Sequence, residues 1–236
     1  MATKTPTLVL VHGAWHRESM WHLLREELSD LDVRTVQNPS SAPVAPSRLG
    51  DMYADAAAIR AAVESVGGPV VAVAHSYGGV PLTQALAGVS AVKRLVYLNA
   101  FMLDVGESVL KVVGGTPPPF WGMDHVGEGY YEMLNAEHHF YNDLTPEAAR
   151  AAAGALGPHS VASMEQPVTR AAWHAIPSTY VIGVNDAAVP AEAGEFLSGR
   201  AERVVRMDTG HSPFLVRPAE TAALLREELE LAVREG

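Results

Sequence analysis

Six short apolar runs punctuate the chain: Thr7–His12, Val33–Val36, Val70–His75, Arg94–Ala100, Ser178–Val184 and Arg203–Met207. Each is too short for a helix and rich in aliphatic residues, and several abut Gly or Pro, so each reads as a strand. The run "VVAVAH" has no polar alternation until its end, the pattern of a strand buried on both faces. Between these runs the period changes. Met20, Leu23, Leu24 and Leu28 recur at helical spacing, and the Ala-rich stretch from Asp51 to Val66 reads as a helix with Asp51 in its first turn or as its cap. Further helices are expected up to about Leu86, over Ala191–Leu197, and from Pro218 to Arg234. Alternation of this kind predicts an α/β chain, with a mostly parallel sheet of about six strands flanked by helices.

The alternation lapses after Phe101 and resumes only at Ser178. The intervening chain carries "PPPFWGM", "YYEML" and "AEHHFYNDLTPEAARAAAGAL", aromatic and Pro-rich stretches without the strand period. It reads as an insertion at 104–177 into a core made of 1–103 and 178–236. No internal repeat accompanies it. A total of 236 residues suits one such core and is short for two independent catalytic domains.

Composition narrows the chemistry. With 48% hydrophobic and 19% charged residues, the chain suits a buried interior and not disorder. The net charge of −10, with no basic stripe, argues against a nucleic-acid partner. There is no cysteine, so a disulfide framework, a thiolate metal site and a thiol nucleophile are all excluded. The leading "MATKTPTLVLVHG" has no signal-length apolar region, so no membrane association and a cytoplasmic location are expected.

Three polar sites follow apolar runs directly. In "VVAVAHSYGG", Ser76 sits between a strand and a helix, with Ala74 and Gly78 as small residues two positions to either side. Small flanking residues allow strand and helix to approach while the hydroxyl projects outward. Asp186 lies just past the run in "YVIGVNDAAVP", and His211 follows the last run in "RVVRMDTGHSPF". A serine hydroxyl needs an imidazole to take its proton, and that imidazole needs an acceptor to fix its tautomer. Ser76, His211 and Asp186 fit as nucleophile, base and orienting acid. The loop "LVLVHGAW" supplies a backbone donor for an oxyanion, so Ala14 and Tyr77 are assigned as the oxyanion hole. His12 and Gly13 shape that turn; His12 joins the substrate-binding candidates beside its reading as a satisfied buried histidine.

Other polar residues take plainer readings. Asp104 also follows a strand and rivals Asp186 for the acid. His75 reads as a packing residue beside the serine turn. Glu137, His138 and His139 are sequence neighbours that point in different directions on a helix, so no metal site is expected.

With "LVLVHGAW", "AHSYGG", "VIGVNDAAVP" and "MDTGHSPFLVRP" in this order, the chain resembles the α/β-hydrolase superfamily over nearly its full length. The spacing is most similar to the small branch of plant methylesterases, salicylate-binding esterases, hydroxynitrile lyases and related bacterial esterases. The resemblance implies an α/β-hydrolase fold lacking two leading antiparallel strands, with 104–177 as a mainly helical lid over Ser76. From that lid Phe120, Trp121, Tyr130, Tyr131, Phe140 and Trp173 are candidates for an apolar pocket. Ala74 departs from the usual first Gly of the serine turn, and "HRES" at His16–Ser19 replaces a commonly Gly-rich one. The lyases of this branch carry a Thr after the first-strand His and a Lys after the catalytic His; here Gly13 and Ser212 stand there. The expectation is therefore a serine carboxylesterase acting on small, apolar esters without a cofactor, with a homodimer left open. A cofactor-free lyase and a small-molecule receptor on the same fold are the alternatives.

Overall fold

The computed structural model describes residues 5–234. In chain order the first elements are β1 (Thr7–Val11), α1 (His22–Glu27), β2 (Val33–Val36), α2 (Met52–Glu64), β3 (Val70–His75), α3 (Gly79–Leu86) and β4 (Val92–Leu98). The segment that follows contains α4 (Val109–Val112), β5 (Trp121–Gly122), β6 (Tyr130–Met133), α5 (Ala136–His139), α6 (Pro146–Gly154), β7 (His159–Ser160) and α7 (Val161–Glu165). The chain closes with β8 (Ser178–Gly183), α8 (Ala191–Ser198), β9 (Arg203–Met207), α9 (Pro213–Val216) and α10 (Pro218–Arg234). Six strands pair in the order β2-β1-β3-β4-β8-β9, and every pair is parallel.

The sheet is central because its strands have two apolar faces. In β1, Leu8 and Leu10 point into one cluster with Trp21, Leu24, Phe214 and Leu225, while Val9 and Val11 point into the other with Ile59, Val63 and Tyr180. Period-two alternation thus feeds two cores at once, with α1 and α10 covering one face and α2 and α3 the other. Each fully buried aliphatic side chain contributes about 1.5–3 kcal/mol relative to exposure. The edge strand β9 alternates between half-buried and exposed positions and ends on the buried Met207.

One charged cluster interrupts this core. Arg94, in β4, is buried with its Nε 2.9 Å from Glu228 Oε2 of α10, and Thr179 Oγ1 donates to the same oxygen at 2.8 Å. Arg203 also pairs with Glu228. Asp51 caps α2, its carboxylate accepting the Ala54 N–H at 2.8 Å.

The regular structure between β4 and β8 is mainly helical, as expected, with one addition. Besides short helices it holds a three-stranded antiparallel sheet, β5-β6-β7. Strands of two to four residues are too short for any alternation to register in sequence.

Candidate active site

At the carboxyl edge of the sheet the backbone turns sharply. Among the described non-glycine residues, positive φ occurs at Trp15 (62°), Ser76 (53°), Asn99 (46°) and Asn135 (54°). The first three follow β1, β3 and β4, three adjacent strands, so left-handed strain is concentrated on one edge. The turn at Ser76 is possible because Gly78 and Gly79, two and three residues on, lack side chains: a Cβ at Gly78 would lie 2.5 Å from the His12 carbonyl oxygen. Ala74 is fully buried between Val11 and Tyr97 of the neighbouring strands, so a methyl group fits where a Gly is usual.

The edge pairs two of the three predicted polar residues, and the third, Ser76, stands at the turn after the neighbouring strand β3. His211 Nδ1 lies 2.7 Å from Asp186 Oδ2, both side chains buried. The other Asp186 oxygen accepts the N–H groups of Ala188 and Val189 at 2.7 and 2.8 Å, which fixes the carboxylate as an acceptor. Donation from Nδ1 leaves His211 Nε2 with a lone pair, and this buried atom has no hydrogen-bond partner among the described residues. His75, immediately before Ser76, packs its ring 4.6 Å from that of His211 and donates from Nε2 to the His211 carbonyl at 2.9 Å. Asp104 is elsewhere, half-exposed and 3.0 Å from His174 Nε2.

Ser76 lines an apolar cavity of about 450 Å³ together with Ala14, Trp15 and Tyr77. Neither the Ala14 nor the Tyr77 N–H is taken up by a protein acceptor among the described residues. The walls include Phe120, Trp121 and Phe140 of the predicted pocket residues, joined by Val109, Met164 and Phe196. A second apolar cleft of about 600 Å³, between α6 and the 16–23 stretch, lacks the serine.

The remaining predicted pocket residues do not line this cavity. His12 is fully buried; its Nε2 accepts from Asn38 N and Gln37 Nε2, both at 3.0 Å, because it ties β1 to the loop after β2. Tyr130 stacks on His125 at 4.7 Å, and Tyr131 sits against Trp121 at 5.2 Å. Trp173 donates its indole N–H to the Leu103 carbonyl at 2.9 Å, anchoring the segment to the core.

Several contributors escaped sequence reasoning. Asn99 donates to the carbonyls of Gly210 and His211, each at 3.0 Å, and accepts the Gly183 N–H at 2.5 Å, linking the strand ends that carry Asp186 and His211. Trp15 donates to the Tyr131 carbonyl at 3.0 Å and packs on Trp121 and Phe140. Asp143 accepts the Gly210 N–H from across the segment. The signal available for Asn99 was its place at a strand end; nothing in the spacing marked Asp143.

Burial governs the titrating groups. It pushes His12 down to about 4 and His16 to about 3, and holds His75 and His159 well below the usual imidazole range. These rings are neutral at physiological pH. Asp55 is moved the other way, up to about 7, again by burial.

Residues 8–224 match the family model described as the alpha/beta hydrolase family. The chain belongs to that family. It is 33% identical to the alpha/beta hydrolase nvfD of Aspergillus novofumigatus, over 94% of this chain and 95% of that one. Among solved structures it is similar to a pyrethroid hydrolase from Sphingobium faniae, at a TM-score of 0.81 and 16% identity over 96% of this chain and 98% of that one. A methylesterase, MES16, from Arabidopsis superposes at a TM-score of 0.77 and 18% identity, covering 96% and 99%. These two likenesses concern the fold. Among the described residues, no helix of this α/β hydrolase is long and apolar enough to cross a membrane.

Proposed function

We propose that this α/β hydrolase is a serine carboxylic-ester hydrolase acting on small, largely apolar esters through an acyl-enzyme. The observation that carries the reading is the 2.7 Å His211–Asp186 pair, which leaves His211 Nε2 unpartnered beside the elbow of a serine that lines an apolar cavity. In this reading Ser76 Oγ attacks the ester carbonyl and its proton passes to His211 Nε2. Negative charge gathers on the former carbonyl oxygen, where the Ala14 and Tyr77 N–H groups receive it. Collapse expels the alcohol, which takes the proton from His211. Water then attacks the acyl carbon, again with His211 as base, and frees Ser76.

The cavity supports the choice of substrate class. Its walls carry no charged side chain; of the polar groups there, the Tyr77 hydroxyl donates to Asp55 at 2.6 Å and the Trp15 indole N–H to the Tyr131 carbonyl at 3.0 Å, so no ion on the walls would pair with a charged ester. The segment 104–177 acts as a lid in this reading, contributing Phe120, Trp121 and Phe140 to the wall. The similarity to a methylesterase agrees with an ester-cleaving site on this fold, and that to a pyrethroid hydrolase with a hydrolytic one.

Turnover of p-nitrophenyl butyrate is the test. Wild-type protein should hydrolyse it and be labelled by a fluorophosphonate, and Ser76→Ala should lose both while keeping its circular dichroism spectrum. Labelling that survives in Ser76→Ala, or ligand binding with no turnover at all, would refute the assignment.

A further inference from the structure

We infer that Asp55 is a positioning residue for the oxyanion hole, acting through the side chain of Tyr77. The inference rests on the serine-esterase reading above. Asp55 sits in the first turn of α2, fully buried, on a face otherwise lined by Met52, Ala56, Ile59 and Val63. A carboxylate in such surroundings is costly unless its oxygens are matched, and both are: Oδ1 accepts the Ser40 N–H at 2.8 Å and Oδ2 accepts the Tyr77 hydroxyl at 2.6 Å. The proposed proton transfers make no use of it. Its link to the chemistry is Tyr77, the residue after the nucleophile.

The geometry of one peptide group explains what that link does. The Ser76 carbonyl and the Tyr77 N–H share a plane, so fixing one end of the plane and the residue that follows fixes the direction of the N–H. The carbonyl end is held by the Phe101 N–H at 3.0 Å. The other end is held through the Tyr77 ring, whose hydroxyl reaches Asp55 and whose face meets the His159 ring edge-on at 4.6 Å. His159 is itself fixed by donation to Ser163 Oγ at 2.8 Å. Because Ser76 is in the left-handed region, at φ 53°, the peptide after it needs such restraint to hold its N–H on the cavity. The same bond draws the Tyr77 hydroxyl away from the cavity.

A double-mutant cycle on p-nitrophenyl butyrate hydrolysis tests this. Tyr77→Phe and Asp55→Ala should each lower kcat about 10- to 100-fold, less than deletion of an oxyanion donor, with KM changed under about 2-fold. Asp55→Asn, which keeps an acceptor, should recover part of the loss. In a Tyr77→Phe background, Asp55→Asn should cost nothing further. Losses that multiply, a change in KM instead of kcat, or an unchanged kcat in Tyr77→Phe would each overturn the role; the last variant removes a single oxygen and keeps the test open if Asp55→Ala does not fold. The amide resonance of nitrogen-15-labelled Tyr77 gives a reading that needs no turnover. It should move in Asp55→Asn, and a fixed resonance would overturn the inference even if wild-type protein cleaved no ester and the esterase reading alone had failed.

Discussion

The six-stranded sheet and the 104–177 segment are built by different means. The sheet is held by continuous apolar faces, so its strands are specified by residues close together in sequence. The inserted segment packs an apolar side onto the same core but is located by separate polar hooks. Gln166 accepts the Met52 N–H and donates to Asp51, both at 2.9 Å; Gln84 accepts the Thr169 N–H at 2.8 Å; Asn142 donates to the Asn185 carbonyl at 2.9 Å. Apolar faces confer stability without fine direction, whereas each hook sets one distance. The proposed chemistry sits where the two systems meet, with the triad on core loops and much of the cavity wall on the segment.

That division makes the largest effect an activity loss confined to the core loops. Asp186→Asn should cost about three to four orders of magnitude in kcat by favouring the wrong His211 tautomer. Asp104→Asn, in the inserted segment and paired with His174, should leave kcat within a few-fold, and steady-state kinetics on the two variants would show whether the orienting acid has been placed on the right element.

Next comes a lesion of stability without chemistry. Glu228→Ala removes the closest carboxylate of the buried Arg94 and should lower stability by about 3–5 kcal/mol. Urea denaturation would measure it, and kcat at low temperature should match wild type. A Glu228→Ala protein that is fully stable would mean that the apolar faces alone hold the sheet.

A third effect is set by pH. His12, His16, His75 and His159 have folded pKa values below the unfolded 6.5, so the unfolded chain binds protons that the folded chain refuses as pH falls. Their stabilisation is therefore complete above that value and lost below it; for His12, at about 4, the loss is about 2 kcal/mol by pH 5. Asp55 opposes them: raised from 3.8 to about 7, it loses stabilisation as pH rises through that window. Four groups outweigh one, and the urea midpoint should be lower at pH 5 than at pH 7. A midpoint that stays level would remove neutral burial from the account.

The smallest effect belongs to a hook. Gln166→Ala should cost about 1 kcal/mol in stability and act on KM more than kcat, because it loosens the wall and leaves the triad in place. Equal loss in kcat would erase the distinction between the two regions.

The same distinction decides what could be read in advance. The strands of the sheet, their ends and the places of Ser76, Asp186 and His211 just past those ends were legible because each polar residue closes an apolar run whose period is visible within a few residues, whereas the strand order was not read. Arg94 and Glu228 were not, since a charge in a strand and a charge in a helix carry no mark of pairing across 134 positions. Nothing in the Ala-rich helix sets Asp55 apart until Tyr77 is placed against it. Tyr130, Tyr131 and Trp173 looked like pocket walls because an aromatic residue announces burial but not its neighbour; three instead pack within the segment or against the core.

The left-handed residues Trp15, Ser76 and Asn99 also bear on how the molecule wears out. Trp15 and Ser76 each keep a disfavoured backbone at a cost of about 1–2 kcal/mol, Asn99 adopts it more readily, and the three occupy neighbouring strand ends. Those ends are the part of the chain that gains most from relaxing locally, while the sheet beneath them gains nothing. On warming, the carboxyl edge should slacken first and reversibly, so that the proposed turnover of p-nitrophenyl butyrate fades several degrees below the main calorimetric transition and returns on cooling. The working temperature of the protein is then set by three backbone angles and not by the strength of its core.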